Sequence, residues 1–210
     1  MRTTNPEKFA RKREEILEAA SRCFARDGFH GASVSSICAE AGISPGHIYH
    51  YFASKEAIVG AIIEARLADK VAGFERVLRS DDLVGAIIVE IESIKMGARN
   101  AGLKRQLMLE MIAEGGRNPT IANMLVEHNR TIRELLAELL RRAQERGQVD
   151  AALDPEPAAA VLLSVIECAG TLTTNNPTLA PEHNLEHLKL LIKRFLVSGS
   201  SVARAADPVE

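Results

Sequence analysis

Residues 33 to 55 read SVSSICAEAGISPGHIYHYFASK, and the spacing of serines, glycine and apolar side chains in this stretch decides the fold. Ser33 stands at the N-cap of a short helix whose inward residues are Ile37, Cys38 and Ala41, and Gly42 supplies its stop. Ser44 caps a further helix that begins with Pro45, the residue preferred at the first helical position, and is predicted to run to about Phe52. Two short helices joined through Ala41-Gly42-Ile43-Ser44 form the pattern of a helix-turn-helix, whose second helix enters the major groove of DNA. Ile48 and Phe52 lie four apart and face inward toward Ile37 and Phe24, which leaves His47, Tyr49 and His50 to project outward. Those three carry hydrogen-bonding groups. Both tyrosines of the chain, Tyr49 and Tyr51, fall in this window, a placement that a merely solvated helix face does not need.

Working outward, Asn5 and Pro6 open a first helix with Ile16, Ala20, Cys23 and Phe24 on one apolar face and a stop at Gly28. Ser54 caps a fourth helix, whose apolar residues Ile58, Ile62, Ala65, Val71, Phe74 and Leu78 carry it beyond the N-terminal unit. Further helices are expected near residues 81–99, 102–114, 119–146, 155–173 and 181–198, separated by Gly-, Asn- and Pro-rich turns. No stretch alternates apolar and polar residues between hairpin turns, so the fold class is all-α. The expected organisation is a three-helix DNA-binding domain over residues 1–55, a helical bundle over 56–198 and a flexible tail over 199–210.

Composition excludes several other classes. The chain has 210 residues, 46% of them apolar and 26% charged, which is the balance of a folded globular protein and not of disorder. Its longest apolar run, Ala158 to Val165 counting Ser164 within it, falls far short of the roughly 18 residues of a membrane span. The charged N-terminus lacks a signal-peptide apolar region, so a cytoplasmic protein without a membrane partner is expected. Three cysteines with no CxxC pair suggest neither a disulfide framework nor a thiolate zinc site. P-loop, GxSxG, HExxH, dinucleotide and paired Cys/His patterns do not occur, so neither an enzyme nor a cofactor or metal is expected. The net charge of −2 divides into +2 over residues 1–55 and −4 over the remainder, which suggests a small polyanion-facing head. The cluster Arg11-Lys12-Arg13 reads either as a wet helix face or as a contact to flanking phosphates.

At this point the first 60 or so residues resemble the DNA-binding domain of the TetR family of bacterial transcriptional regulators. The resemblance is carried by the Gly-Phe-x-Gly-Ala-Ser segment at 28 to 33, Ile37, Glu40-Ala41-Gly42-Ile43-Ser44, Ile48-Tyr49-His50-Tyr51-Phe52 and Ser54-Lys55-Glu56-Ala57. It implies phosphate contacts from Ser33, Tyr49, His50 and Lys55, and groove contacts from Ser35, Ser44, Pro45, Gly46 and His47. Tyr51 is implied at the DNA backbone or packed beneath it. Pro45 and His47 depart from the Lys and Thr that many members carry there, so the operator sequence stays open.

For the body the resemblance implies a ligand-binding domain, and a dimer built on the last two long helices. The expected function is a ligand-released repressor that acts as a homodimer on a palindromic double-stranded DNA operator. Val161, Val165, Leu188, Ile192 and Phe195 are the candidate dimer contacts, since those helices hold more apolar surface than one intramolecular face requires. A small apolar or amphipathic effector is expected against Leu107, Met108, Glu110, Met111, Glu114, Met124 and Glu167. Glu110 and Glu114 read either as pocket acids that favour a cationic ligand or as solvated helix-face acids. Two other classes compete: a helical enzyme without a local motif, and a small-molecule-binding or interaction protein that never touches DNA.

Overall fold

The computed structural model describes residues 6–96, 101–175 and 181–197. Asn5 and the tail read over 199–210 lie outside them. Among the described residues the fold is nine α-helices without a strand: α1 (Pro6–Gly31), α2 (Val34–Ala41), α3 (Pro45–Ile48), α4 (Lys55–Leu78), α5 (Leu83–Met96), α6 (Ala101–Gly115), α7 (Pro119–Glu145), α8 (Pro155–Asn175) and α9 (Pro181–Val197).

Two ends differ from the sequence reading. The third helix, predicted to reach Phe52, ends at Ile48, because the N–H groups of His50 and Tyr51 bond only three residues back, to the carbonyls of His47 (3.2 Å) and Ile48 (2.9 Å). That tighter winding carries residues 49–51 as a turn. The first helix does not stop at Gly28. It breaks there, with φ 72° and ψ 171°, and resumes for one more turn to Gly31.

The chain forms two compact units, one of residues 1–68 with 100–128, the other of 69–99 with 129–210. In the first, Ile16, Cys23 and Phe24 of α1 meet Ile37 and Cys38 of α2, Ile48 of α3 and Ile58 of α4 in one buried cluster. The same cluster includes Leu107 and Met111 of α6 and Ile121 of α7, so the helix-turn-helix does not have a core of its own. Burial pushes the Cys23 and Cys38 thiols up from their ordinary value, which keeps them un-ionised and chemically quiet.

The second unit buries Leu83, Ile87, Leu136, Leu139, Leu140, Leu162, Ile192 and Leu196 together. Gln148 fixes its corner: its side-chain oxygen accepts from the Leu83 N–H at 2.9 Å, at the start of α5, and its amide nitrogen donates to the Asp81 carbonyl. The Asp150 N–H donates to the Leu196 carbonyl at 2.8 Å, which secures the end of α9.

Candidate nucleic-acid interface

The helix-turn-helix is built from caps. The Ser33 hydroxyl accepts from the Ser36 N–H at 3.0 Å and starts α2. Gly42 ends it in the left-handed region, at φ 63° and ψ 39°, with its N–H on the Ala39 carbonyl and the Ile43 N–H on the Cys38 carbonyl. Those paired bonds are a Schellman closure, which turns the chain sharply enough to start α3 two residues later. Ser54 caps α4 in the same manner as Ser33, accepting from the Ala57 N–H at 3.1 Å. Ser44 differs from both. It occupies the cap position of α3, but its hydroxyl makes no capping bond, and Pro45 at the first helical position has no N–H to offer it.

Ile48 and Phe52 are buried, as the four-residue spacing required. Ser44, Pro45, Gly46, His47, Tyr49 and His50 stand exposed on the short helix and the turn after it, and Ser35 is exposed on α2. Tyr49 is 59% exposed, an unusual state for a tyrosine in a packed domain. A Cβ added at Gly46 would meet nothing within 4 Å, so the fold itself does not require glycine there.

Phe9, Lys12 and Arg13 of α1, the last two read from the sequence as a wet helix face or a contact to flanking phosphates, hold this surface in place. Phe9 stacks on Tyr51 with ring centroids 4.6 Å apart, the Lys12 ammonium donates to the Ala41 carbonyl at 3.3 Å, and the Arg13 guanidinium lies 5.0 Å from the Phe52 ring centroid. Two members of the basic triplet are therefore engaged with the helix-turn-helix. Arg11 is the most solvent-exposed of the three and approaches Glu15 at 3.9 Å. Phe9, Lys12, Arg13 and Ile16 share one face of α1, which turns all four toward the helix-turn-helix.

Lys55 is held at the far end of α1. Its ammonium donates to the carbonyls of Phe29 (2.7 Å) and Ala32 (3.3 Å) and sits 4.1 Å from the centre of the Phe29 ring. In this conformation it closes the segment that follows the Gly28 break.

A surface clasp joins α1 to α2. Glu40 meets Arg22 at 2.7 Å and Arg26 at 3.6 Å, and the Arg22 hydrogen bond holds its carboxyl below the ordinary carboxylate value. A carboxyl with a lowered folded pKa stabilises the fold above its unfolded value and loses that contribution as the pH falls. Melting temperatures of the wild type and Glu40→Gln are therefore expected to differ at pH 7 and to converge only as the pH falls below the ordinary carboxylate range, through the lowered value of the folded state. A difference that persists in acid would show that Glu40 acts by packing and not by charge.

The residues assigned to effector binding divide. Glu110, Met111 and Glu114 line a void of about 10 Å³ with Phe24, Phe29, Val59 and Ile121, space for about one water molecule. Leu107 and Met111 are buried in the first unit's core, Met108 is half-buried, and Met124 packs at Gly60. Glu114 is only 2% exposed, a carboxylate held by His30 Nε2 at 3.1 Å and by Arg117 at 3.4 Å, so it is not a solvated helix-face acid. Glu167 belongs to the second unit, where it pairs with Lys70 at 3.3 Å.

The dimer candidates divide likewise. Leu188 and Ile192 are buried in the second unit's own core, which removes their surface from any partner. Val165 and Phe195 are half-buried against that core. Val161 is 48% exposed, as are, to a similar degree, Leu190, Leu191 and Val197 of α9.

Comparison with known proteins draws these observations together. Residues 16–62, from the centre of α1 into α4, match the family of bacterial regulatory proteins, tetR family, and residues 95–180 match a tetracyclin repressor-like C-terminal domain. The HTH-type transcriptional regulator UidR of Escherichia coli strain K12 is 37% identical over 153 residues, 73% of this chain and 76% of that protein. The chain belongs to the TetR family. The solved structure of Salmonella enterica GusR superimposes on the regulator with a TM-score of 0.77 at 31% identity, covering 93% of this chain and 99% of that one. The HTH-type transcriptional repressor AcnR of Corynebacterium diphtheriae is 30% identical over 143 residues, 66% of this chain and 68% of its own. The regulator is thus a DNA-binding transcription factor with a helix-turn-helix, and not an enzyme. None of its described helices is long and apolar enough to cross a membrane.

Proposed function

We propose that the regulator is a repressor which binds a two-fold symmetric operator as a homodimer and is released by a small ligand. In this reading residues 1–55 read DNA, while residues 56–198 hold the effector and the partner chain. The observation that carries it is the exposed surface of α3, a helix of only four residues that offers Ser44, Pro45, Gly46 and His47 to the groove. So small a reading surface gains specificity when two-fold symmetry repeats it. Tyr49, His50 and Ser35 flank it as further contacts, with Ser33 and Lys55 at the phosphates. A repressor is favoured by the name borne by the relative from Corynebacterium diphtheriae. Val161, Leu190, Leu191 and Val197 are the apolar groups of α8 and α9 that remain for a partner, joined by the edges of Val165 and Phe195.

Effector release runs through α6 and α1. Leu107 and Met111 share the core of the helix-turn-helix, and Glu114 is paired with His30, so a shift of α6 is passed to α1. Met108, Glu110, Met111 and Met124 are the groups a ligand displaces. A preference of about 1–3 kcal/mol for the released arrangement changes operator affinity roughly 5- to 150-fold.

Selection from a randomised duplex library, followed by stoichiometry and salt titration on the selected duplex, tests the reading. Two chains per duplex, an inverted repeat and a steep loss of affinity with salt are expected. One chain per duplex, or no selected sequence, would overturn it. Gly46→Leu gives a sharper check, because nothing in the fold opposes a side chain there. Its melting temperature is expected to match the wild type while operator affinity falls at least about tenfold, the cost of forcing α3 away from the groove floor.

A further inference from the structure

The exposed end of the helix-turn-helix carries a run of rings. Phe9 of α1 lies against Tyr51 with centroids 4.6 Å apart and planes 24° from parallel, and Tyr51 lies against His47 at 5.7 Å and 20°. His50 meets His47 edge to face, at 5.7 Å and 85°. Phe9 and Tyr51 are half-buried and His47 is exposed, so the run leads from the protein out to the reading surface. His47 and Tyr51 lie four apart on the winding of α3 and its following turn, which brings their rings to one side. Phe9 backs them from the first turn of a helix anchored at Ile16 in the core.

A solvent-exposed histidine ordinarily turns freely about its outer torsion, whose energy profile is broad and nearly two-fold. Tyr51 covers one face of the His47 ring and removes that freedom. Offset-stacked and nearly parallel rings are a favourable arrangement, and both imidazole nitrogens lie in the ring plane, at its edge. The stack therefore fixes the plane in which those nitrogens lie and leaves the ring only the two edges related by a flip. We propose that Phe9 and Tyr51 set the operator specificity of the regulator without touching a base, by holding the His47 imidazole in the orientation that reads it. They are positioning residues for His47, and the inference rests on the groove-reading role proposed for that residue above.

The test is base preference in a randomised duplex library, measured with a thermal melt for each variant. His47→Ala is expected to lose preference at one base position of each half-site. Tyr51→Leu, which keeps apolar bulk and loses the flat ring, is expected to relax preference at that same position by roughly 2- to 12-fold, the worth of one side chain ordered in advance. Phe9→Leu is expected to act in the same direction with a smaller effect. Tyr51→Phe keeps the ring and its stack, and is expected to retain the full preference, which guards the conclusion against misfolding of the leucine variant. In the His47→Ala background Tyr51→Leu is expected to change nothing further. If Tyr51→Phe weakens all duplexes alike, the tyrosine hydroxyl contacts the DNA backbone and the positioning role is wrong. If Tyr51→Leu acts equally with and without His47, the role is again wrong while groove reading by His47 stands. If His47→Ala leaves every base preference intact, both assignments fall.

Discussion

Alanine at position 121 is expected to destabilise the DNA-binding unit by about 2–5 kcal/mol, the usual cost of truncating a fully buried isoleucine. Ile121 lies in the first turn of α7, well beyond residues 16–62 that match the family's DNA-binding segment. Its side chain is nevertheless buried in the same cluster as Ile16, Ile37 and Ile48. Ile16→Ala, in the middle of α1, is expected to cost a similar amount. Both are read by urea or thermal unfolding, with operator affinity failing at the temperature where the first unit melts. Ile112→Ala on α6 is the control, since that side chain is 55% exposed and its loss is expected to stay within about 0.5 kcal/mol. An Ile121 variant as mild as the Ile112 variant would show that α7 does not share the core of the helix-turn-helix.

The second large effect is expected at Gly28. Its φ of 72° with ψ of 171° lies in a region open essentially to glycine alone, which makes a side chain there cost about 1–3 kcal/mol. A Cβ at this position would also meet Glu110 Oε2 at 3.2 Å. The carboxylate is the far end of a flexible side chain and gives way, so the backbone carries most of the cost. Gly28→Ala is expected to lower the melting temperature by roughly 2–12 °C, and removing Glu110 as well should restore little of it. Gly42 supplies the contrast. Its φ of 63° and ψ of 39° fall in the left-handed helical region that asparagine also visits, and a Cβ there meets nothing within 4 Å. Gly42→Asn should therefore be mild and Gly28→Asn severe. Equal costs at the two positions would mean that the break in α1 is not held by glycine.

Signals confined to a few neighbouring residues were legible in the sequence. Ser33, Gly42, Pro45 and Ser54 each act on their own helix end, and each stands where its chemistry placed it. The roles of Phe9, Lys12 and Arg13 were not legible as a set. They sit in a charged stretch that reads as a wet helix face or as a contact to flanking phosphates, and their partners Tyr51, Ala41 and Phe52 lie far along the chain. Gly28 announced an interruption but not its geometry, because a stop and a break use the same residue. On α9 the neighbours Leu188, Leu190, Leu191 and Ile192 are apolar on several sides, so periodicity alone did not separate the buried Leu188 and Ile192 from the exposed Leu190 and Leu191. Glu114 was ambiguous for a related reason: it is buried beside Phe24 and Phe29 of α1, Val59 of α4 and Ile121 of α7, and nothing in the sequence of α6 records those neighbours.

The first unit draws on residues 1–68 and again on residues 100–128. During synthesis the helix-turn-helix leaves the ribosome early, while Leu107, Met111 and Ile121, which complete its core, follow later. At about 5–20 residues per second, the stretch between the two segments and the second segment itself take roughly 3–12 s to make. Through that interval the apolar face of α1 lacks the part of its cover that α6 and α7 supply, and the reading helix has no finished base on which to stand. A nascent chain is therefore expected to be unable to compete for an operator until more than half of it has been translated, which places DNA binding late in the life of each newly made molecule.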